Sequence, residues 1–373
     1  MKRITVAFDS FKGSLTSREA AEAFAQGWHE HLPECEVCKA YIADGGEGMT
    51  EAIVESLEGK YVEVGVNDPL GRPITSRYGI IHGDTAVVEL AAAAGLTLIT
   101  PEERNPLITT TYGVGEMIMD ALRRGCRKVI LGLGGSSTND GGSGMLRALG
   151  YRFYNADGEE LTDTIDILEK VVSVDDTELT PMARDMELRV AVDVDNPLYG
   201  ERGAAAIFAP QKGADRAMVE RLDRALRHYA SVVGEEWADI AGAGAAGGVG
   251  YGVMVMLAAR PQLGIELVLD TIGFKEMIAN SGLVITGEGR IDSQTLMGKA
   301  PSGVLRYAEE YDIPCIAVGG GVKWSDELRQ SGFKKIYAAT PHDMPLEEAM
   351  CRDTAYRNLR LTAMRIAKEW PTL

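Results

Sequence analysis

The first 60 residues alternate between short apolar runs and amphipathic segments. The runs Ile4–Phe8 and Cys35–Ile42 predict two buried strands, and the apolar positions between them recur at helical spacing. Thr16 followed by Glu19 predicts the capping box that begins this first helix. Met49–Leu57 predicts a second helix. Strand, helix, strand, helix is the order typical of a parallel sheet covered by helices.

The pattern changes near residue 60. Residues 61–90 contain several short strand-like runs separated by turn signals, which predict a mixed or antiparallel sheet. Further along, Gly115–Arg124 and Ser143–Leu149 predict helices, whereas Lys128–Leu133 and Leu188–Val192 predict strands. A different domain is therefore expected to begin near residue 60.

Alternation of the first kind returns near the end of the chain. Leu283–Thr286 and Pro314–Val318 predict strands, Gly303–Glu310 predicts a helix, and Leu346–Trp370 predicts a helical tail. We therefore expect a two-domain α/β protein. Both termini, residues 1–62 and 270–373, would form a flavodoxin/Rossmann-like doubly wound domain with a parallel sheet, and residues 63–269 would form an inserted mixed-sheet α/β domain.

Composition and charge narrow the function. Hydrophobic residues make up 45% and charged residues 25% of the 373 residues, as in ordinary globular proteins. The formal net charge of −17 argues against binding to nucleic acid or to an anionic membrane, because both require a basic surface. An anionic substrate would need a local basic site. No pattern specifies an oligomeric state.

Two further features suggest a cytoplasmic protein. No apolar window reaches the ~18–20 residues of a membrane span. The apolar run that follows Met1-Lys2-Arg3 stops at Asp9, which is too early for a signal peptide. The five cysteines are an odd number without regular spacing, so free thiols in a reducing compartment are expected.

Glycine and carboxylates gather directly after the predicted strands. Glycine accounts for 43 of 373 residues, about 12% against a usual ~7%. Ligands of open α/β sheets bind outside the carboxyl ends of the strands, where glycine-rich turns can cradle an anion. Carboxylates beside such a cradle would hold Mg²⁺ or accept a proton from a hydroxyl group. The segments at these predicted strand ends are Asp9–Ser14, Asp44–Gly48, Gly134–Gly142, Asp193–Pro197, Gly287–Asp292 and Gly319–Gly321.

Two segments of the chain partly match familiar nucleotide-binding motifs. Ser293–Ala300 lacks the first glycine and the final hydroxyl of a P-loop, although Lys299 could still present an ammonium group to a phosphate. Gly242–Gly247 spells a dinucleotide fingerprint, but Glu235–Asp239 before it is not an apolar strand. Close packing or phosphate binding is favoured there. An NAD-dependent hydroxyacid dehydrogenase and a non-catalytic sugar-acid sensor remain the alternatives.

Taken together, these segments resemble one family, the bacterial glycerate kinases that phosphorylate the 2-hydroxyl of D-glycerate. Three departures from its pattern, Phe8, Ser137 and Ala209, replace the proline, alanine and glycine that are usual there, and none removes a charged group. The resemblance runs through nearly the whole chain and is carried by Asp9–Ser14, Ala43–Gly48, Asn105-Pro106, Thr110–Gly113, Gly134–Gly142, Asp193–Leu198, Pro210–Ala214, Gly242–Gly250, Ile285–Gly289 and Gly298–Pro301.

The resemblance implies ATP and Mg²⁺ as cofactors and D-glycerate as a small-molecule substrate. It also implies a two-domain α/β body with one domain inserted in the other, and a role in glyoxylate, glucarate or galactarate breakdown. The product it favours is 2-phosphoglycerate.

Phosphoryl transfer requires a base for the hydroxyl and cations for the phosphoryl group. Asp193, which heads a dense acidic turn at a strand end, is the first candidate for the base, and Asp292 is the second. Lys12, Arg290 and Lys299 are candidates for neutralising the phosphoryl group or for binding the glycerate carboxylate.

The other candidates are binding residues. Asp44 and Glu47 are expected to bind Mg²⁺ or the hydroxyls of glycerate. The remaining residues expected to bind phosphate or substrate are Asp9, Ser10, Gly134, Gly135, Ser136, Thr138, Asn139, Asp195, Gly287 and Glu288.

Overall fold

The computed structural model describes residues 2–370, which divide into two compact units. Unit 1 comprises residues 2–44, 51–57 and 265–370, and unit 2 comprises residues 45–50 and 58–264. Each unit has its own β-sheet, which confirms the expected α/β class. The predicted domain boundaries at 62/63 and 269/270 stay a prediction. In the part of the chain that the structure describes, no helix has the length and apolar character needed to cross a membrane.

The strands, in chain order, are β1 (Arg3–Phe8), β2 (Glu36–Tyr41), β3 (Lys60–Asn67), β4 (Pro73–Ile81), β5 (Thr85–Glu89), β6 (Lys128–Gly132), β7 (Arg152–Tyr154), β8 (Ser173–Asp175), β9 (Glu187–Ala191), β10 (Arg260–Gln262), β11 (Val284–Ile291), β12 (Cys315–Val322) and β13 (Lys335–Ala338).

The α-helices are α1 (Ser17–His29), α2 (Met49–Ser56), α3 (Ala91–Ala94), α4 (Tyr112–Arg123), α5 (Ser143–Leu149), α6 (Thr164–Lys170), α7 (Pro181–Arg184), α8 (Ala204–Phe208), α9 (Arg216–Val233), α10 (Ala245–Leu257), α11 (Gly264–Thr271), α12 (Phe274–Ile278), α13 (Ala300–Glu310), α14 (Asp326–Arg329), α15 (Leu346–Ala349) and α16 (Arg352–Glu369). Short 3₁₀ helices lie at Leu96–Leu98, Pro101–Glu103, Pro210–Lys212, Glu235–Trp237 and Ser293–Leu296.

Unit 1 contains a five-stranded parallel sheet in the order β13-β12-β11-β1-β2. Counted along this unit alone, the order is 2-1-3-4-5, which is that of flavodoxin-like doubly wound folds. In such folds the ligand crevice opens where the strand order reverses, which here lies between β1 and β11. Thr16 caps α1 through the predicted capping box with Glu19. The predicted doubly wound sheet is confirmed.

Two strands of unit 1 are longer than the sequence pattern predicts. The predicted strands ended at Thr286 and Val318, but β11 and β12 continue and stay paired as far as Ile291 and Val322. Loops were expected at Gly287–Asp292 and Gly319–Gly321 because glycine has a low strand propensity. The observed strand pairing shows that this expectation was wrong. The pairing of the two strands satisfies their backbone groups. Because β1 pairs with β11 only as far as Gly287, residues 288–291 of β11 extend beyond the end of β1.

The predicted helical tail is also divided. Helices α15 and α16 are separated at Met350 and Cys351, and the backbone of Cys351 is extended. The break allows Met350 to contact the loop that follows β1, since a Cβ added at Gly13 would lie 2.7 Å from Met350 Cε. A tertiary contact therefore replaces the continuous helix that the local pattern favours.

Unit 2 contains a six-stranded mixed sheet in the order β10-β9-β6-β5-β4-β3. The four strands from β10 to β5 are parallel, while β5, β4 and β3 form an antiparallel meander. Strands β7 and β8 form a separate antiparallel pair. The predicted mixed sheet is confirmed, and the carboxyl ends of its parallel strands lie along one edge.

Candidate active site

The first group of predicted residues lines a cavity of about 570 Å³ in unit 1. This cavity lies at the carboxyl ends of the parallel strands β1, β2, β11 and β12. One side of it is apolar and includes Phe11, Met344, Leu346 and Met350. The predicted site residues among those that line it are Ser10, Lys12, Asp44, Glu288, Arg290, Asp292 and Lys299.

Two carboxyl groups of this region are buried. Asp9 is 4% exposed, and its Oδ1 accepts a hydrogen bond of 2.6 Å from Ser10 N. Burial raises the pKa of Asp9 to about 7, and the nearby carboxylates of Asp44 and Glu288 add to that rise. Burial also raises the pKa of Glu288, although the hydroxyl of Thr295 donates a 2.6 Å hydrogen bond to it. These three acidic side chains therefore share one electrostatic environment.

The raised pKa of Asp9 predicts a stability that depends on pH. The folded protein keeps this carboxyl protonated up to about pH 7, whereas the unfolded chain releases the proton near pH 4. Its contribution to stability is therefore complete below about pH 4 and is lost as the pH rises to about 7. We expect Asp9→Asn to raise the free energy of unfolding by about 4 kcal/mol at pH 8, where the difference of about three pKa units is fully expressed, and by only about 1 kcal/mol at pH 4.5.

Denaturant unfolding in EDTA at the two pH values measures this difference. Asp343→Asn is the control, because the Asp343 side chain is fully exposed. An equal gain for Asp9→Asn at both pH values, or none at pH 8, would contradict the burial argument.

The cations of the unit 1 cavity lie close to carboxylates. Lys12 Nζ is 4.0 Å from Asp44 Oδ2, and Arg290 Nε is 3.5 Å from Asp292 Oδ2. The side chains of Lys12 and Arg290 are 70% and 66% exposed, so they can turn toward an incoming anion. Lys299 is the N-cap residue of α13. Although the net charge of the protein is negative, this cavity therefore has the local basic groups that an anionic ligand requires.

The side chain of Asp292 is engaged in local backbone structure. It caps the 3₁₀ helix Ser293–Leu296, and its Oδ1 accepts a 2.9 Å hydrogen bond from Gln294 N. Its own backbone N–H donates to the Thr295 hydroxyl at 3.0 Å. The Asp292 carboxylate therefore stabilises the start of this 3₁₀ helix.

The second group of predicted residues lines a smaller cavity of about 350 Å³ in unit 2. Gly134, Gly135 and Ser136, which follow β6, form one wall, and Asp193, which follows β9, lies on the same cavity. Asp193 Oδ1 accepts a 2.7 Å hydrogen bond from Gly264 N at the start of α11. The side chain of Asp193 is thereby oriented by the backbone of a neighbouring helix.

The segment Gly45–Thr50 lies over the same strand ends of unit 2. A Cβ added at Gly45 would lie 2.6 Å from Gly264 Cα, and one added at Gly134 would lie 2.7 Å from Gly46 Cα. Glycine is therefore required at both positions for the close approach of backbones. This requirement explains part of the glycine clustering that the sequence suggested was a phosphate cradle.

Three functional candidates in unit 2 were missed by the sequence reasoning. Glu89 at the end of β5 is half-buried, and this desolvation raises its pKa, while its Oε1 accepts a 2.7 Å hydrogen bond from Thr50 N. Asp140 is fully buried and accepts hydrogen bonds from the backbone and the hydroxyl of Thr111 at 2.8 and 2.7 Å. The third is Lys212. Asp140 and Lys212 lie within segments of the resemblance, Gly134–Gly142 and Pro210–Ala214, which was the only signal for them in the sequence, whereas Glu89 lies outside all of these segments.

Lys212 is a buried lysine that lines the unit 2 cavity and is only 1% exposed. Its Nζ donates hydrogen bonds to Ser136 Oγ at 2.8 Å and to Thr138 O at 2.6 Å. Burial lowers the pKa of Lys212 to about 7, while the charge of Asp140 opposes that change. Lys212 therefore ties the glycine loop after β6 to the turn that follows α8.

The remaining predicted residues do not line either cavity. Thr138 and Asn139 are buried in the loop after β6, and Asp195 is exposed and pairs with Arg202 at 3.0 Å. Gly287 lies inside β11, where an added Cβ would meet Val318 O. Glu47 is exposed and belongs to unit 2.

The dinucleotide fingerprint has a structural explanation. Residues 235–237 before it form a 3₁₀ helix instead of the strand that a Rossmann site requires. A Cβ added at Gly244 would lie 2.3 Å from Pro197 O, and one added at Gly247 would lie 2.1 Å from Thr138 O. Close packing, one of the two explanations that the sequence favoured for this segment, therefore applies at Gly244 and Gly247.

The acidic residues of unit 1 fit a magnesium ion of the kind that accompanies a nucleotide. Among residues 2–370, no three His, Cys, Asp or Glu side chains converge as a complete metal site. Mg²⁺ in kinase sites needs only one or two carboxylates, because phosphate oxygens and water complete the octahedron. Asp44 would supply a hard oxygen ligand on the cavity wall, and its charge contributes to the raised pKa values of Asp9 and Glu288.

The fold is that of a two-unit α/β protein with one cavity lined by charged side chains at the strand ends of each unit. The chain belongs to the glycerate kinase family, whose family model matches residues 4–371. The chain is 43% identical to a glycerate kinase of Bacillus subtilis, across 98% of this chain and 97% of that protein.

Two further similarities agree with that membership. A glycerate 2-kinase of Escherichia coli is 41% identical, across 98% of this chain and 97% of that protein. A crystal structure from Salmonella typhimurium, of a protein provisionally described as glycerate kinase 2, superposes with a TM-score of 0.91 at 40% identity. The superposition covers 99% of this chain and 98% of that one.

Proposed function

We propose that this protein transfers the terminal phosphoryl group of ATP to the 2-hydroxyl of D-glycerate and forms 2-phosphoglycerate. The observation that carries the proposal is the unit 2 cavity, where a carboxylate, Asp193, and a buried lysine, Lys212, line about 350 Å³. A small hydroxyacid needs both kinds of group, a base for its hydroxyl and a donor for its carboxylate. Family membership supports the same substrate.

Asp193 is the proposed base. One of its oxygens is held by Gly264 N at 2.7 Å, which fixes the orientation of the carboxylate. The carboxylate would accept the proton of the 2-hydroxyl as the hydroxyl oxygen attacks the terminal phosphorus of ATP, in the role that an aspartate has in other kinases. Gly134, Gly135 and Ser136 are proposed to bind the substrate or its phosphate on the same cavity wall.

The unit 1 cavity is the proposed nucleotide site. Its apolar side, with Met344, Leu346 and Met350, suits the purine ring of the nucleotide. Three cations on its wall, Lys12, Arg290 and Lys299, suit the phosphates. Asp44 would hold Mg²⁺, which supplies charge neutralisation to the phosphates when it is bound.

A coupled assay of ADP release tests the function. We expect ADP release that requires D-glycerate, ATP and Mg²⁺, with L-glycerate as the control substrate. Phosphorus NMR of the product distinguishes 2-phosphoglycerate from 3-phosphoglycerate. ADP release without glycerate dependence would contradict the activity, and 3-phosphoglycerate as the product would contradict the position of transfer alone.

The setting of the reaction is part of the same proposal. The five cysteines are unpaired, which supports a reducing compartment such as the cytoplasm. The net charge of −17 supports a small-molecule substrate over nucleic acid. Breakdown of glyoxylate, glucarate or galactarate would supply the glycerate.

A further inference from the structure

Lys212 is unusual among the cations of this protein because its ammonium group is inside unit 2. The side chain is 1% exposed, whereas Lys12 is 70% exposed. Its two hydrogen bonds go to uncharged oxygens, Ser136 Oγ and Thr138 O. Among the described residues it forms no ion pair within 4 Å, and a buried charge without one is costly.

The groups around Lys212 hold it in place. The Gly134–Thr138 loop is fixed from its other side, where Ser137 N donates to Ala94 O at 2.9 Å and Leu96 N donates to Gly135 O at 3.0 Å. Below Lys212, a Cβ added at Gly213 would lie 2.3 Å from Arg104 O, so the turn is packed against backbone. The ammonium group is therefore positioned before any ligand arrives.

Lys212 also borders the space in which a ligand could bind. It lines the unit 2 cavity together with Ser136 and Asp193, so an anion in that cavity could reach the third donor of the ammonium group. A positioned, desolvated cation at the wall of a small cavity binds oxyanions strongly, because little reorganisation is needed on binding.

We propose that Lys212 makes the unit 2 cavity a site for one compact oxyanion. In the proposed reaction, on which this inference rests, that oxyanion is the carboxylate of glycerate or the phosphoryl group that glycerate receives. Both offer the same chemistry, an oxygen with negative charge that accepts a hydrogen bond from the ammonium group.

The protonation of Lys212 should then change on binding. The charged groups on the elements packed around it are Asp140 after β6, Asp193 after β9, and Arg104, whose backbone contacts the turn of Lys212. Burial holds the pKa of Lys212 at about 7, so much of this lysine is neutral at pH 8. An oxyanion beside it would raise that pKa, and up to about one proton would be taken up from the buffer.

Titration calorimetry with D-glycerate, MgADP and inorganic phosphate tests the proposal on the intact protein. Lys212→Met is the informative variant, and Lys128→Met is its control, since Lys128 begins β6 and is exposed outside the cavity. We expect Lys212→Met to lower the affinity for one of the oxyanions about 10- to 100-fold. We expect the control to change binding by less than about twofold.

The pattern of losses identifies the oxyanion. If Lys212→Met binds glycerate more weakly but binds MgADP and phosphate as the wild type does, the ligand of Lys212 is the glycerate carboxylate. If it binds phosphate more weakly but binds glycerate unchanged, the ligand is the phosphoryl group. Unchanged binding of all three ligands by a folded Lys212→Met would overturn the proposal, even if the wild-type protein phosphorylates glycerate. Conversely, a Lys212-dependent phosphate site in a protein without kinase activity would refute the proposed function alone.

A measurement on the wild-type protein covers the case in which Lys212→Met fails to fold. Binding heats at pH 8 in two buffers of different ionisation enthalpy give the number of protons taken up. Uptake with glycerate or phosphate supports the proposal, and binding without uptake contradicts it.

Discussion

Replacing Asp193 with asparagine is expected to lower kcat for phosphorylation of D-glycerate by about 10²–10⁴-fold, the usual contribution of a general base. Asparagine keeps the shape of the side chain and the hydrogen bond from Gly264 N, but it cannot accept a proton from the substrate hydroxyl. Because the nucleotide is proposed to bind in the other unit, KM for ATP should change by less than about threefold. Steady-state kinetics with each substrate varied in turn measure both effects.

The chain offers a matched control two residues away. Asp195 follows the same strand, but it is exposed and pairs with Arg202 at 3.0 Å, so Asp195→Asn should leave kcat nearly unchanged. Asp292→Asn tests the second candidate, whose carboxylate caps a 3₁₀ helix. A larger loss of kcat for Asp292→Asn than for Asp193→Asn would transfer the role of base to Asp292.

Asp44→Asn should raise the Mg²⁺ concentration that gives half-maximal activity by about 10- to 100-fold. The carboxylate of Asp44 lines the unit 1 cavity with Glu288, and an amide oxygen is a weaker ligand for a hard cation than a carboxylate. Activity measured across a Mg²⁺ titration at saturating ATP reports this constant directly. Saturating Mg²⁺ should restore much of the activity, because the substrates still bind.

Two other variants define what the Asp44 result means. Glu47→Gln replaces the second predicted magnesium ligand, which is exposed in unit 2, and Asp343→Asn replaces a fully exposed carboxylate in unit 1. If Glu47→Gln shifts the Mg²⁺ requirement and Asp44→Asn does not, the metal ligand is Glu47. If the glycerate KM rises for Asp44→Asn at an unchanged Mg²⁺ requirement, Asp44 binds the substrate hydroxyls instead.

The amino-acid pattern alone predicted most of the fold. The apolar runs around Ile4–Phe8 and Lys128–Leu133 became β1 and β6, and the signal of Thr16 and Glu19 became the start of α1. These features depend on neighbours within a few residues along the chain, so local propensity and periodicity suffice to predict them. The change from alternating to mixed pattern near residue 60 likewise predicted the two kinds of sheet.

The pattern failed where distant contacts decide local structure. Glycine made Gly287–Ile291 resemble a loop, but pairing with β12 keeps this segment in a strand. The glycines of Gly242–Gly247 resembled a nucleotide motif, but Gly244 and Gly247 pack directly against the backbones of Pro197 and Thr138, which leave no room for a Cβ atom. In both cases the partner lies many residues away, and propensity carries no information about it.

By itself, the sequence determined the α/β class, the sheet types, and the acidic and glycine-rich segments at the strand ends. Only the tertiary structure decided how those segments are used. In the folded protein, Asp9, Asp44 and Glu288 lie close enough for their charges to interact. Asp292 caps a 3₁₀ helix, and Lys212 lines a cavity. The physical reason is that burial and neighbouring charge set the pKa and the availability of a side chain, and both depend on residues far apart in the chain.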